Sequence, residues 1–388
     1  MTSATIPARR LAGFYLAYFA ALGAFSPYWS LFLKARGQDV AAISVLMSLW
    51  YGTRIVAPSA WSWLAGRSPR PIHWLRGGCV LVLGSFLLFL LPLGFHGLFA
   101  AMCVFCFAWN AVLPQFEALT LSHLGARSDR YGRIRVWGSI GFIAIVGGFG
   151  FALDRLSIDW LPWLMLPLYV GLVAGSFAND YGASARTPVH GGGATFGTQL
   201  LQREVILFFV VALLAQVSFG PYYTFFSLYL EHHGYRPSTL GAYWAIGVAA
   251  EIALFFAAAW IFSRLDARKV LLFALVSAAL RWWVTALLPE NVPLMVLAQT
   301  THALNFAAFF AACMQLLVRW FPGPANAHAQ GIFYGFSSGL GGVLGAWLAG
   351  ALWHVDEGRA AFLAAGAVAA FAAALCALSL RGSIRGLA

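Results

Sequence analysis

Charge is scarce in this sequence. Asp, Glu, Lys and Arg make up 10% of its 388 residues and 61% are hydrophobic, whereas a soluble globular chain carries roughly a quarter charged residues. Such a chain cannot cover a water-facing surface with polar groups, which excludes a soluble protein and makes lipid its solvent. Alternating segments of about ten residues, the mark of membrane-barrel strands, are missing too, so the spans are helical. Cysteine is sparse: Cys79, Cys103, Cys106, Cys313 and Cys376 all fall in apolar runs. The CxxC of Cys103 and Cys106 has no second ligand pair, so packed thiols without disulfides or metal are expected. No HExxH or paired His–carboxylate motif appears, which argues against an intramembrane enzyme and leaves no cofactor to expect. MTSATIPARR at the start carries no cleavable signal, so the first apolar run is expected to stay as a helix.

What the sequence has in abundance is apolar runs of the length that crosses a bilayer core, about 20 residues. We expect twelve, at 11–33, 40–64, 72–93, 98–122, 134–153, 160–179, 204–230, 238–262, 269–288, 292–318, 329–351 and 360–381. The formal net charge is +11. Of the 24 Lys and Arg residues, seventeen fall on one side of these spans, five on the other, and Arg54 and Arg281 inside them. By the positive-inside rule both termini are cytoplasmic, in a multi-pass protein of the inner membrane. No basic cluster lies outside this pattern, so no nucleic-acid partner is expected.

The chain carries signs of a duplication. Phe25-Ser26-Pro27-Tyr28 in the first span has a counterpart in Phe219-Gly220-Pro221-Tyr222 in the seventh. Each is followed by an aromatic run and a short outer loop with Gly37 or Gly234. Seventeen residues after those glycines come Arg54 and Glu251 respectively. WLAGRSPR (63–70) answers IFSRLDAR (261–268). We divide the chain into a six-helix bundle 1–182, a cytoplasmic linker 183–200 with Gly191–Gly193, and a six-helix bundle 201–388. Glycines in the fifth and eleventh spans, Gly138, Gly141, Gly147, Gly148, Gly331, Gly335, Gly339, Gly341 and Gly345, are expected to allow close helix approach. The prolines Pro27 and Pro221 are expected to kink their helices.

Ionisable groups inside spans cost about 2.5–3.5 kcal/mol each on insertion scales, so they face a cavity or a partner. Glu117 lies roughly 10 Å from the cytoplasmic end of the fourth span, and Arg135 a similar distance into the fifth. Glu251, Arg281 and His302 lie roughly 12–20 Å down from the outer ends of the eighth, ninth and tenth spans. The charges thus sort into a pair in one half and a triad in the other. Snorkelling is the alternative for Glu117 and Arg281, an ordinary loop charge for Arg135, a structural ion pair for Glu251 and simple packing for His302. Arg54 pairs either with backbone carbonyls or with the substrate.

Taken with GAFSPYWSLFLKARG (23–37), NAVLPQFEALTLSHLG (110–125) and RYGRIRVWGSIGF (130–142), these residues resemble the lactose-permease-like branch of the major facilitator superfamily, including its 3-phenylpropionate transporter and nucleoside:proton symporter relatives. The resemblance implies twelve helices in two pseudo-symmetric six-helix bundles, with the substrate site near mid-membrane. It implies that Glu117 and Arg135 hold the substrate, with Phe142 packing on it, and that Glu251, Arg281 and His302 form the proton-coupling set. Arg54, Asn110 and Tyr28 complete the candidate substrate-binding residues. Two departures stand out. The family's second acidic residue, three positions after the histidine, is here Asn305, which cannot carry a proton. The 2–3 loop reads LAGRSPRP, with Gly66 where the superfamily has Asp. The expected function is proton-coupled uptake of a small organic solute such as an aryl carboxylate, by a monomer in the lipid bilayer, with Arg135 alternating between Glu117 and Glu251. A sugar or nucleoside symporter and a drug antiporter are the alternatives.

Overall fold

The computed structural model describes residues 6–125, 127, 130–182 and 195–385. Among them twelve helices are long and apolar enough to cross a membrane: α1 (Ala8–Ala35), α2 (Val40–Arg67), α3 (Ile72–Leu90), α4 (Phe95–Leu124), α5 (Tyr131–Leu153), α6 (Ile158–Phe177), α7 (Arg203–His232), α8 (Pro237–Arg264), α9 (Ala267–Leu287), α10 (Val292–Trp320), α11 (Ala325–Trp353) and α12 (Arg359–Arg385). Each expected run corresponds to one of them, and the chain is a multi-pass membrane protein. Of the expected linker, 183–194 (with Arg186 and Gly191–Gly193) lies outside the described residues. The remainder, Thr195–Leu200, is a short helix.

Local chemistry sets the helix ends. The Asp39 carboxylate accepts the Ala42 N–H at 2.7 Å and starts α2, and Asn291 accepts from Leu294 to start α10. α1 and α7 end alike. Gly37 has φ +74° and Gly234 φ +78°, the left-handed region that a Cβ disfavours. Their neighbours' N–H groups then return to Leu33 and Leu230, which satisfies carbonyls the helix would leave open. The duplication also shows at the opposite ends of α2 and α8. Arg67 lies 3.6 Å over the Trp63 ring and Arg264 4.5 Å over Trp260. The match therefore begins at Trp260, one residue earlier than the alignment of IFSRLDAR gives.

The helices cluster into two compact units. One contains α1, α3 to α6, α2 up to Ala42 and from Thr53 onward, and Arg236–Ala242 at the start of α8. Here the Tyr28 hydroxyl donates to the Val146 carbonyl at 2.7 Å, with Pro237 O at 3.3 Å, and Asp154 accepts the Ser238 N–H at 3.0 Å. The other unit contains α7, α9 to α12, α8 from Tyr243 onward, and Ile43–Gly52 of α2. Here Ser44 donates to Ala346 O at 3.1 Å and Trp347 Nε1 to Ser48 at 3.1 Å.

Besides the 3-10 turns that end α3 (Leu88–Leu90) and begin α6 (Ile158–Trp160), three helices depart from regular α geometry within their length. α7 breaks at Phe219, just before Gly220-Pro221. α1 is one uninterrupted helix through Pro27. α10 contains a π segment at Leu304–Ala308 and α11 one at Phe333–Leu340. Neither segment was visible in the sequence pattern.

Apolar helices gain little from hiding in each other when lipid is the alternative, so close backbone contact carries much of the packing. The tightest contact lies between α7 and α11, where Gly220 meets the Gly345 backbone; a Cβ on Gly345 would in turn stand 2.5 Å from the Val217 carbonyl oxygen. The expectation for Gly331 is corrected: it faces open space, as do Gly147 and Gly148, and the close approach comes later in α11 at Gly341 and Gly345. Gly345→Leu should abolish the monodisperse peak of detergent-extracted protein in size-exclusion chromatography, while Gly331→Ala should leave it unchanged.

Candidate functional site

In the unit built on α7 and α9 to α12, a chain of polar groups runs through apolar surroundings. Arg281 on α9 is 2% exposed. One of its terminal nitrogens lies 2.8 Å from His302 Nδ1 and the other donates to Gln299 Oε1 at 2.8 Å, both on α10. The guanidinium also covers the rings of Tyr222 at 4.3 Å and Trp282 at 4.7 Å. Such cation–π contacts stabilise a desolvated cation by about 2 kcal/mol. The Tyr222 hydroxyl donates to the same Gln299 oxygen at 3.4 Å. On its far side, His302 Nε2 meets Glu251 Oε1 of α8 at 2.8 Å.

This geometry fixes the histidine tautomer. A guanidinium has only donors, so Nδ1 accepts and carries no proton. The ring proton therefore sits on Nε2 and is donated to the Glu251 carboxylate. A doubly protonated ring would set two donors face to face at 2.8 Å. Glu251, whose side chain is 14% exposed, is thus the proton-accepting end of the chain. Arg281 Nε and Gln299 Nε2 are buried donors with no acceptor. Asn305 stands in the π segment, and its amide donates to Ala274 O of α9 at 3.0 Å rather than joining the chain.

The unit built on α1 and α3 to α6 holds a looser arrangement. The Tyr131 hydroxyl donates to Glu117 Oε1 at 3.2 Å. Arg135 stacks on Phe19 at 3.8 Å and lies 5.4 Å from the Tyr15 ring. Tyr15 stands between the two, its ring against Tyr131 and its hydroxyl donating to Thr120. Among the described residues no ion pair joins Glu117 to Arg135. Both are half-buried, so each charge keeps some water or waits for another partner. Asn110 donates to Thr53 at 3.0 Å, next to half-buried Arg54 on α2. Tyr28 is fully buried in helix packing, with its hydroxyl on Val146 and Pro237. Phe142 is buried, and its backbone lies against Gly23.

Sequence reasoning missed Gln299 and Tyr131. Gln299 had a usable signal, an amide inside an apolar run, whereas Tyr131 was one of 13 tyrosines. Among the described residues no group of His, Cys, Asp and Glu is arranged to hold a metal.

A family model described as "MFS_1 like family" matches residues 8–364. The chain belongs to this family. This MFS_1-like protein is 26% identical over 318 residues to the probable 3-phenylpropionic acid transporter of Escherichia coli (strain K12), covering 80% of this chain and 82% of that one. It is 26% identical over 347 residues to the maltose permease of Geobacillus stearothermophilus, covering 86% and 84%. Among solved structures, a mutant form of the nucleoside transporter NupG superposes with a TM-score of 0.86 at 17% identity, over 96% of this chain and 99% of that one. That likeness shows the fold, twelve membrane helices in the major facilitator arrangement. As a family member, the MFS_1-like protein is a secondary transporter for a small-molecule substrate.

Removing one partner of a buried charge costs about 3–5 kcal/mol, because the rest of the site is left uncompensated. Arg281→Ala should therefore lower the Tm of the purified protein by several degrees. Glu251→Gln keeps a carbonyl oxygen for the His302 Nε2–H and should leave Tm nearly unchanged. The two melting curves in one detergent check this.

Proposed function

We propose that this transporter takes up a small organic anion of the aryl carboxylate class together with a proton, by alternating access. It acts as a monomer in the cell inner membrane, with both termini in the cytoplasm. Its two six-helix halves, 1–182 and 201–388, rock about the linker between them.

The observation that carries this reading is the Glu251–His302–Arg281 chain. With His302 neutral and its Nδ1 committed to Arg281, the protonatable group of the chain is Glu251. Ionised, Glu251 balances Arg281. Protonated, it leaves one positive charge in a region of low dielectric, where an unopposed charge is costly. A bound carboxylate restores the balance. Proton and anion therefore favour each other's binding, which is the requirement for symport. Within the membrane Arg54, Arg135 and Arg281 exceed Glu117 and Glu251 by one charge, which suits a monoanion. Trp50, Tyr51 and Tyr223 are aromatic residues of α2 and α7 suited to an aryl ring. The relative named as a probable 3-phenylpropionic acid transporter points to the same class.

In this scheme Glu117 and Arg135 bind the solute. Each is held by one adaptable partner, the Tyr131 hydroxyl or the Phe19 ring, and each has capacity for another. Asn110 and Arg54 line the same half. Asn305 carries no proton and anchors the π segment of α10 to α9. A second reading, sugar symport, rests on the maltose permease relative, equally similar at 26% identity. Aromatic stacking and a Glu–Arg pair would serve a sugar ring as well.

The test is uptake by the purified protein in sealed vesicles with an imposed inward proton gradient. Phenylpropionate should accumulate, and a nucleoside and maltose should not. Accumulation of maltose alone would replace the first reading by the second. Glu251→Gln should lose at least about tenfold in gradient-driven accumulation while keeping exchange of internal for external substrate. Unchanged accumulation by that variant would refute the proton role. Glu117→Gln should weaken substrate binding in both modes.

A further inference from the structure

We propose that a cationic groove at the N-terminal ends of α1 and α5 is a binding site for an anionic phospholipid. A cavity of about 880 Å³ opens there, and Arg9, Arg127, Arg130 and Arg133 line it. Among the described residues no Asp or Glu does. Two helices begin at this place, at Ala8 and Tyr131. Neither has an acidic residue in its first turn or a side-chain cap. A helix N-terminus carries about half a positive charge and attracts anions. Most helices meet that charge with Asp, Glu, Ser or Thr. Here two such ends come together and the guanidinium groups of Arg9, Arg130 and Arg133 add to them, so among the described residues the lining is cationic and favours negative charge.

The remaining walls identify the anion. Leu16, Ile134 and Trp137 line the same cavity. Leu16 is 38% and Trp137 45% exposed, on helices that cross the membrane. Inorganic phosphate would use the arginines and gain nothing from these side chains. A diacyl phospholipid uses both, with its phosphate among the guanidinium groups and its chains along Leu16 and Trp137. Trp at that height is typical of the membrane interface, and basic pockets between membrane helices on the cytoplasmic side bind anionic headgroups. An ordinary positive-inside cluster needs no cavity. This one borders an open groove with an apolar flank, and it is separate from the candidate substrate and proton residues.

The test uses the full chain in detergent, with phosphatidylglycerol, phosphatidylcholine and inorganic phosphate as probes. Native mass spectrometry should show phosphatidylglycerol retained over phosphatidylcholine by at least about tenfold. Changing Arg9, Arg130 and Arg133 together to Gln should remove that preference. Changing Arg67, Arg70 and Arg319 to Gln takes the same charge from the basic end elsewhere and should leave it. A phosphatidylglycerol with a photoreactive acyl chain should label the unaltered protein around Leu16 and Trp137, a readout that needs no variant to fold. Equal retention of the two lipids, equal loss in both triple variants, or labelling only at other segments would overturn the proposal. So would a thermal shift with millimolar inorganic phosphate as large as that with phosphatidylglycerol.

Discussion

A guanidinium donates hydrogen bonds and accepts none, and that asymmetry governs the deepest polar chain of this protein. Because Arg281 contacts His302 Nδ1, the imidazole must carry its proton on Nε2 and present it to Glu251. One contact thus sets the tautomer of the histidine and the direction of its hydrogen bond to Glu251. The apolar surroundings give this consequence its force. In water the three side chains would relax independently. Inside twelve apolar helices, each must find its partner among the others, so the arrangement is nearly determined by which groups can donate.

The two units answer the same problem differently. Around Arg281 the polar groups are enclosed and joined end to end. Around Glu117 and Arg135 they are half-buried, and each relies on an aromatic side chain: a phenol hydroxyl for the carboxylate, a ring face for the guanidinium. A ring face is an undemanding partner for a cation, since it holds charge without fixing direction. The first arrangement suits a group whose protonation is to be controlled. The second suits groups that exchange partners with a solute.

The fold was legible because lipid imposes a simple rule: a helix that crosses must be apolar for about 20 residues, and the sequence has twelve such runs. The repeat was legible through Gly37 and Gly234, because a left-handed residue is a local requirement that survives duplication. Depth counting brought Glu251, Arg281 and His302 into one layer, and the structure links them directly. It brought Glu117 and Arg135 to one depth as well, but depth says nothing of azimuth. Tyr131 and Phe19 hold the two side chains apart. Tyr28 was singled out for its motif, yet its hydroxyl belongs to the junction with Val146 and Pro237. Gly331 is one of several glycines in its span and still faces open space, since glycine content cannot say which stripe of a helix meets a neighbour. The π segments escaped notice because one extra residue in a uniformly apolar run changes no pattern.

The π segment of α10 gives the helix an adjustable phase. It lies between His302 and Phe309–Trp320, and it packs on α9 as that stretch does. An α turn holds 3.6 residues and a π turn about one more. Smoothing Leu304–Ala308 into regular geometry would rotate the His302 end against that anchored stretch by about 100° about the helix axis. That rotation would break the Arg281–His302 contact and the Asn305 bond to Ala274 together, and the imidazole would be free to change tautomer. A single surplus residue therefore ties the protonation pattern of the chain to the winding of one helix.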